Sequence, residues 1–408
     1  MNYEEALQWL YGTQLHGIRL GLESIRRLTE ALEISVDGRS GPKFLHVAGT
    51  NGKGSTCAML DSLCRAAGLR TGLFTSPHLI TFRERIQVDG DLISEAEVAD
   101  GLTSIREAVA DWEHSPTFFE ITTALALGYF QYKQVEVAVL ETGMGGRLDA
   151  TNIVTPAVSI VTEIDLDHQQ WLGSTLAEIA AEKAGIAKAG VPFITVPQQR
   201  EARLVLSHLA VERDAPFCQV ATPLNDVDLG LAGSHQEWNA ALAVHALELA
   251  GIAISGDTIV AGLRNVNWPG RFQRWSDQII LDGAHNPAAS ARLVETWREI
   301  FGPEQATIVL AVMRDKNVRG VCEALRPLAV RVITVEVGND RSCTAQELAE
   351  TFAEVAPGAE ISAAAALDTA LTAAQQFHEK VLITGSLFLV GEVLARFQTG
   401  SSAELSSQ

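Results

Sequence analysis

The stretch HVAGTNGKGSTCAMLDSLCRAAG holds the residues best suited to chemistry in this chain of 408. Gly49, Gly52 and Gly54 alternate there with Thr50, Asn51, Lys53 and Ser55. A buried apolar run precedes the turn, and a helical pattern with Leu60, Leu63, Cys64 and Ala67 on its apolar side follows it. Strand, glycine-rich turn and helix in that order can bind phosphate. The glycines let backbone N–H groups turn inward, the helix N-terminus adds partial positive charge, and Lys53 adds a full one. Ser55 can then ligate Mg²⁺. GTNGKGS is shorter than the usual G-x-x-x-x-G-K-S/T pattern, and a short glycine-rich turn can be purely structural. The flanking strand and helix favour phosphate, but they leave the reaction open.

Ser76, Glu141 and His168 share one property with Ser55: each falls just after an expected strand, where open α/β sheets place their ligands. Taken singly, a serine after a strand is a turn or cap residue and a lone histidine is packing. As a set they could meet in one crevice.

Short β-branched or apolar runs alternate with helical patterns almost from end to end, the pattern of parallel sheets covered by helices. The fold class is therefore α/β. Strands are expected at Phe44 to Ala48, Gly72 to Thr75, Val135 to Glu141, Ala157 to Thr162 and Pro192 to Val196. A second series follows at Gln278 to Asp282, Thr307 to Val312, Arg331 to Val337 and Lys380 to Thr384, which reads as a second, smaller Rossmann-like domain. Pro269 and Gly270 punctuate the chain between them. The expected division is 1–274 for a phosphate-loop ATPase domain and 275–398 for the second domain, with a hinge near Gln273 to Asp277. The polar stretch 399–408 is expected to be a disordered tail.

A formal charge of −19 repels nucleic acid and anionic membrane. Anionic ligands then need local cations, which draws interest to Lys53, Arg83, Arg85 and Arg147. No apolar run reaches the length of about 18 residues that a bilayer span requires. The start MNYEEALQWL is acidic where a secretory leader would be basic. Five cysteines, scattered and without a C-x-x-C pair, argue against disulfides and structural zinc and fit a reducing cytoplasm. Cys57 and Cys64 lie on the helical pattern and read as packing.

GTNGKGS, TSPHL (Thr75 to Leu79), ETGMGGRLDATN (Glu141 to Asn152), DLDH (Asp165 to His168), EKAGI (Glu182 to Ile186), WPGRFQ (Trp268 to Gln273) and DGAHNP (Asp282 to Pro287) occur in this order. Together they resemble the folylpolyglutamate synthase and dihydrofolate synthase family, within the Mur-type ligases. The resemblance covers nearly the whole chain and is strongest in its first 290 residues. It implies an ATP-dependent ligase that phosphorylates a carboxylate and lets an amine displace the phosphate. The substrates would be L-glutamate with dihydropteroate or a reduced folate, with no nucleic acid or membrane partner, in a monomeric cytoplasmic enzyme.

The resemblance also implies a site. Ser55, Ser76 and Glu141 would hold one Mg²⁺, and Glu141 with His168 a second; hard oxygen ligands suit Mg²⁺, although an imidazole is less usual. Lys183, read alone, is a solvated lysine beside Glu182. In the family the lysine of EKAGI carries a CO₂-derived carbamate. Asn239 would meet the adenine edge and Arg271 a phosphate, while Asp282 and His285 would close over ATP from the second domain. A monovalent cation is the one cofactor left open. The sequence departs from the family pattern at VLAVMRDKN, where Ala311 replaces a glycine and Asn317 an acidic residue, and SLFLV (Ser386 to Val390) is a loose match.

Only 48 residues precede Gly49, too few for the extra N-terminal domain of cell-wall Mur ligases, so the folate branch is preferred. Ile18, Arg19 and Leu20 stand where bifunctional members meet dihydropteroate. Thr117, Phe118, Phe119 and Glu120, with Leu148, Asp149 and Ala150, match further pterin-side positions. Phe119 would offer a flat face and Asp149 an acceptor for pterin N–H groups, although core packing is the rival account for one of the two phenylalanines. These matches incline the reading to a bifunctional enzyme. A single-activity folylpolyglutamate synthase is the near alternative, a phosphate-loop kinase or NTPase switch with a partner-binding second domain is the distant one, and a non-catalytic folate-binding homologue is the third.

Overall fold

The computed structural model describes residues 1–16, 21–400 and 403–404. Two sheets organise them. The first is built from β1 (Lys43–Ala48), β2 (Thr71–Phe74), β3 (Ile86–Val88), β4 (Asp91–Leu92), β5 (Val137–Glu141), β6 (Val158–Val161), β7 (Phe193–Thr195) and β8 (Phe217–Gln219). Their order is β4-β3-β2-β5-β1-β6-β7-β8. The hairpin strands β3 and β4 run antiparallel and the rest are parallel.

The second sheet comprises β9 (Gln273–Arg274), β10 (Ile279–Leu281), β11 (Ala306–Leu310), β12 (Ala329–Thr334), β13 (Glu360–Ala363) and β14 (Lys380–Thr384) in the order β13-β12-β11-β14-β10-β9. All nine strands expected from the sequence are present. The five additional ones, β3, β4, β8, β9 and β13, are short and lie towards the sheet margins. An edge strand such as Glu360–Ala363 keeps three of its four residues exposed, so it carries no buried apolar run to betray it.

Alternation along the central strands splits each core in two. Phe44 packs with Phe74, Phe130 and Leu140 on one face of β1, while Leu45 and Val47 pack with Leu60, Leu63, Cys57 and Cys64 on the other. In β11, Ile308 and Leu310 face Trp297 and Phe352, whereas Val309 faces Leu389 and Val393. Cys57 and Cys64 are thus packing residues, as expected.

Two boundaries differ from the sequence reading. Gln273 and Arg274 pair antiparallel with Leu281 and Ile280, so the second sheet begins two residues before 275, and the expected hinge falls in the β9–β10 hairpin. Thr399 ends the helix Leu387–Thr399 rather than opening a disordered tail. Glu404 is docked as well: its N–H donates to the Ile80 carbonyl at 2.7 Å and its carboxylate accepts from the Phe82 N–H at 2.7 Å. No helix among the described residues is long and apolar enough to cross a membrane.

Candidate active site

Sheet order explains the site. Strands β2, β5, β1 and β6 lie side by side, so the segments leaving their C-terminal ends meet: Ser76 after β2, Glu141 at the end of β5, the loop 49–55 after β1 and His168 after β6. All line one cavity of about 410 Å³.

The loop depends on glycine at two places. Gly49 adopts φ +151°, and a side chain there would collide with Thr162; Gly52 adopts φ +88°, and a Cβ would lie 2.8 Å from Asn239 Oδ1. The helix Lys53–Ala66 then starts at the cavity with its N-terminus aimed inward. Lys53 Nζ folds back onto the Gly49 and Thr50 carbonyls at 3.2 and 3.3 Å. Asn239, on the helix His235–Leu249, lines the cavity with its amide against this loop and donates to Gln236 at 2.9 Å.

Ser76 N–H donates to Glu141 Oε2 at 3.1 Å, while Ser76 Oγ is buried with no hydrogen-bond partner among the described residues. Burial raises the Glu141 carboxyl above its ordinary pKa, opposed by Lys53 and Arg271. An orphaned hydroxyl beside an under-bonded carboxylate is a donor set that a divalent cation would complete. Among the described residues there is no cluster of three or more His, Cys, Asp or Glu side chains that could hold a metal. Ser55, Ser76, Glu141 and His168 offer instead two hydroxyls, one carboxylate and one imidazole. His168 sits in the left-handed region at φ +50°, and burial depresses its pKa to about 3, so the ring is neutral and has a lone pair to give.

Lys183, which alone reads as solvated, is 3% exposed and donates to the Gly49 carbonyl at 2.7 Å. Burial, with Lys53 nearby, lowers its pKa to about 7. Of the other cations singled out, Arg83 donates to the Ile93 carbonyl, Arg85 to His78 Nδ1, and Arg147 pairs with Glu182, all outside the cavity.

The facing wall is made by Arg271, just before β9, and by Asp282 and His285 of the second domain. Asp282 accepts from the Phe272 and Ala284 N–H groups, each at 2.8 Å, and so knits two loops rather than presenting a free carboxylate. Three residues that the sequence reading passed over complete the contact. Asn286 donates to Asn51 Oδ1 at 3.0 Å and to Asp167 Oδ2 at 3.2 Å, and Lys316 Nζ lies 2.6 Å from Asp167 Oδ1. Asp167 and Asn286 stand inside the DLDH and DGAHNP motifs; Lys316 stands inside the departing VLAVMRDKN segment. At the departures themselves, Asn317 caps the helix Val318–Leu325 and Ala311 is fully buried.

Among the described residues, none of the expected pterin positions is in the lining of this cavity. Thr117 and Glu120 satisfy each other as a capping box on the helix Phe118–Tyr132. Phe118 is core, stacked on Tyr11 at 5.6 Å, whereas Phe119 is half-buried against Phe74 and Gly143. Asp149 is committed to its own loop: its carboxylate accepts from the Thr151 N–H and hydroxyl and from the Met144 N–H. Those bonds fix its orientation and leave acceptor capacity on Oδ2, which accepts one N–H. Leu148 is half-buried beside it, Ala150 is buried, and Ile18, Arg19 and Leu20 lie outside the described residues.

Comparison with known proteins matches residues 47–196 to the Mur ligase middle domain and residues 270–387 to the Mur ligase glutamate ligase domain. The dihydrofolate synthase/folylpolyglutamate synthase of Bacillus subtilis is 34% identical over 97% of this chain and 99% of its own, and that of Escherichia coli is 33% identical over 95% and 94%. Escherichia coli FolC in complex with DHPP and ADP superposes with a TM-score of 0.86 at 31% identity, covering 97% of this chain and 98% of that one. Mycobacterium tuberculosis folylpolyglutamate synthase complexed with ADP gives 0.89 at 31%, covering 99% and 100%. The Yersinia pestis bifunctional enzyme, solved with AMPPNP and Mn ion, gives 0.87 at 31%, covering 97% and 98%. A phosphate-loop sheet facing a glutamate ligase domain across one polar cavity defines an ATP-dependent acid–amino-acid ligase of the Mur type. Within that class the chain belongs to the dihydrofolate synthase/folylpolyglutamate synthase family. The readings as a switch with a partner-binding second domain and as a non-catalytic homologue give way to these matches.

Proposed function

We propose that this chain joins L-glutamate to dihydropteroate and to the γ-carboxylate of reduced folates, using ATP. The observation that carries the reading is the convergence of Lys53, Ser55, Ser76, Glu141 and His168 from adjacent strand ends on one cavity, with Arg271, Asp282 and His285 opposite.

The Thr50 and Asn51 N–H groups are held by the Glu163 carbonyl, so the N–H groups at the start of the helix Lys53–Ala66, with Lys53 Nζ, grip the β and γ phosphates, and Arg271, just before β9, adds charge from the opposite wall. Asn239 orients the nucleotide from the helix beside the loop. Ser55, Ser76 and Glu141 would hold one Mg²⁺, and Glu141 with His168 a second; ions bound there offset the charge of the phosphates. A substrate carboxylate oxygen attacks the γ-phosphorus, the bond to the β–γ bridging oxygen breaks, and ADP leaves an acyl phosphate. The neutral glutamate amine then attacks the carbonyl carbon, orthophosphate leaves with the C–O bonding pair, and the amine nitrogen gives up one proton to solvent or to the departing phosphate. Closure of Asp282 and His285 over the cavity excludes water that would otherwise hydrolyse the acyl phosphate.

A lysine whose pKa is near neutrality has the free amine that adds CO₂, so Lys183 is suited to carbamate formation, with loss of one proton. Phe119, half-buried and against Gly143, is the aromatic face best placed for a pterin.

A second reading, folylpolyglutamate synthase activity alone, is favoured by the commitment of Asp149 to its own loop. Mass spectrometry after incubation with ATP, Mg²⁺, L-glutamate and either dihydropteroate or tetrahydrofolate tests both. One glutamyl residue on dihydropteroate and successive ones on tetrahydrofolate are expected. Products from tetrahydrofolate alone would establish the second reading, and glutamate-independent phosphate release without product would overturn both.

A further inference from the structure

His46 stands on β1 ahead of the phosphate loop and is fully buried. Its Nε2 lies 2.7 Å from Thr151 Oγ1, and its Nδ1 has no hydrogen-bond partner among the described residues. The Thr151 N–H donates to Asp149 Oδ1 at 3.0 Å, and the Thr151 hydroxyl donates to the same oxygen. Proton inventory then fixes the direction. Oδ1 already receives a backbone N–H and so acts as an acceptor, the hydroxyl spends its one proton there, and Thr151 Oγ1 takes its second hydrogen bond from His46 Nε2–H. Burial, with Lys188 nearby, lowers the His46 pKa to about 3, which leaves the ring one proton to give. Asp149 Oδ2 receives the Met144 N–H at 2.9 Å and keeps acceptor capacity. Gly143, beside Met144, has the Phe119 ring against it, where a Cβ would lie 2.6 Å from Phe119 Cζ, and Gly143 and Met144 both line the cavity. An acceptor oxygen and an aromatic face thus flank one two-residue stretch of the cavity wall.

We propose that His46 is a positioning residue for the pterin substrate: through Thr151 it locks the Asp149 carboxylate so that Oδ2 stays open to ring N–H donors beside Phe119. This rests on the bifunctional reading, in which Asp149 is an acceptor for dihydropteroate. Without an N–H from His46, Thr151 Oγ1 keeps a buried lone pair with no donor, and its hydroxyl can turn away from Oδ1. Burial raises the Asp149 carboxyl above its ordinary pKa, opposed by donors from Thr151, Met144 and Gly143. Loss of the Thr151 hydroxyl from that set favours the protonated acid, which offers the pterin a poorer acceptor. Both changes weaken the same oxygen.

Nuclear magnetic resonance of the wild-type protein labelled with nitrogen-15 histidine reads the tautomer directly, with the His46 signal identified by its loss in His46→Gln. A neutral ring protonated on Nε2 at neutral pH is expected, and a ring protonated on Nδ1, or on both nitrogens, overturns the chain of donors. Steady-state kinetics with dihydropteroate then reads the role. Gln places its amide N–H where His46 carries Nε2, whereas Asn places it where Nδ1 lies. His46→Gln should keep KM for dihydropteroate near wild type, and His46→Asn should raise it roughly threefold to tenfold with KM for ATP unchanged. Equal KM values for dihydropteroate in the two variants, or a parallel rise in KM for ATP, overturn the proposal. Asp149→Asn separates it from the reading beneath. An amide cannot accept at both oxygen positions, so KM for dihydropteroate should rise about tenfold or more. No rise overturns the acceptor role of Asp149 and the positioning with it, whereas a rise there without one in His46→Asn overturns the positioning alone. Absence of dihydropteroate turnover in the wild type removes the bifunctional reading and the proposal together.

Discussion

Lys183 Nζ donates to the Gly49 carbonyl at 2.7 Å, tying the helix Leu176–Ala184 to the first residue of the phosphate loop. A modification of that amine would be felt at the phosphates. Burial lowers the Lys183 pKa to about 7, so the amine is neutral above that pH and protonated below it. Only the neutral form adds CO₂. At fixed CO₂ the turnover rate should therefore fall as pH drops through about 7, and added CO₂ should shift the fall to lower pH. Lys183→Ala should lose this dependence along with about a hundredfold or more in kcat, partly restored by short carboxylates. A pH–rate profile indifferent to CO₂ would remove the carbamate from the mechanism.

Among the described residues Lys53 hydrogen-bonds to carbonyls of its own loop alone, so its removal should leave the fold intact. Lys53→Ala is expected to cost at least about a hundredfold to a thousandfold in kcat, with a melting temperature near that of the parent. Wild-type kcat in a folded variant would deny the loop its phosphate role.

Phe118 and Phe119 are adjacent but should respond differently. Phe118→Ala removes a core ring between Tyr11, Phe82 and Arg85, and a loss of about 3–5 kcal/mol of stability is expected by denaturant titration. Phe119→Ala should instead raise KM for the pterin substrate more than KM for ATP. Equal effects on both KM values would return Phe119 to the core.

Asn286 caps the helix Pro287–Phe301 and reaches across to Asn51 and Asp167. Asn286→Ala should cost about 1 kcal/mol through the lost cap and raise KM for ATP. Asn286→Ser, which keeps a capping oxygen but is too short to reach Asn51 and Asp167, should restore stability while still raising KM for ATP. A wild-type KM for ATP in both variants would make the interdomain contact irrelevant.

Local chemistry was legible because it is written in neighbours. GTNGKGS needs its glycines for backbone geometry and its lysine for charge, and both requirements sit within seven residues. The central strands announced themselves as buried apolar runs. The margins did not: Asp91–Leu92 and Glu360–Ala363 gain their strand character from a partner, not from their own residues. Glu404, in a segment that reads as a disordered tail, is held by Tyr3, Ile80 and Phe82, hundreds of residues away.

The amino-acid sequence by itself determined two α/β domains, a phosphate loop with its lysine, and the resemblance to folate-branch ligases. Only the tertiary structure decided that β2, β5, β1 and β6 are neighbours, which of two adjacent phenylalanines is core, that Asp149 serves its own loop, and that Lys316 from one domain meets Asp167 from the other. Motif chemistry acts over a few bonds and survives in the order of residues. Strand order and domain apposition arise from burial and charge pairing between segments far apart in the chain, which no local period encodes.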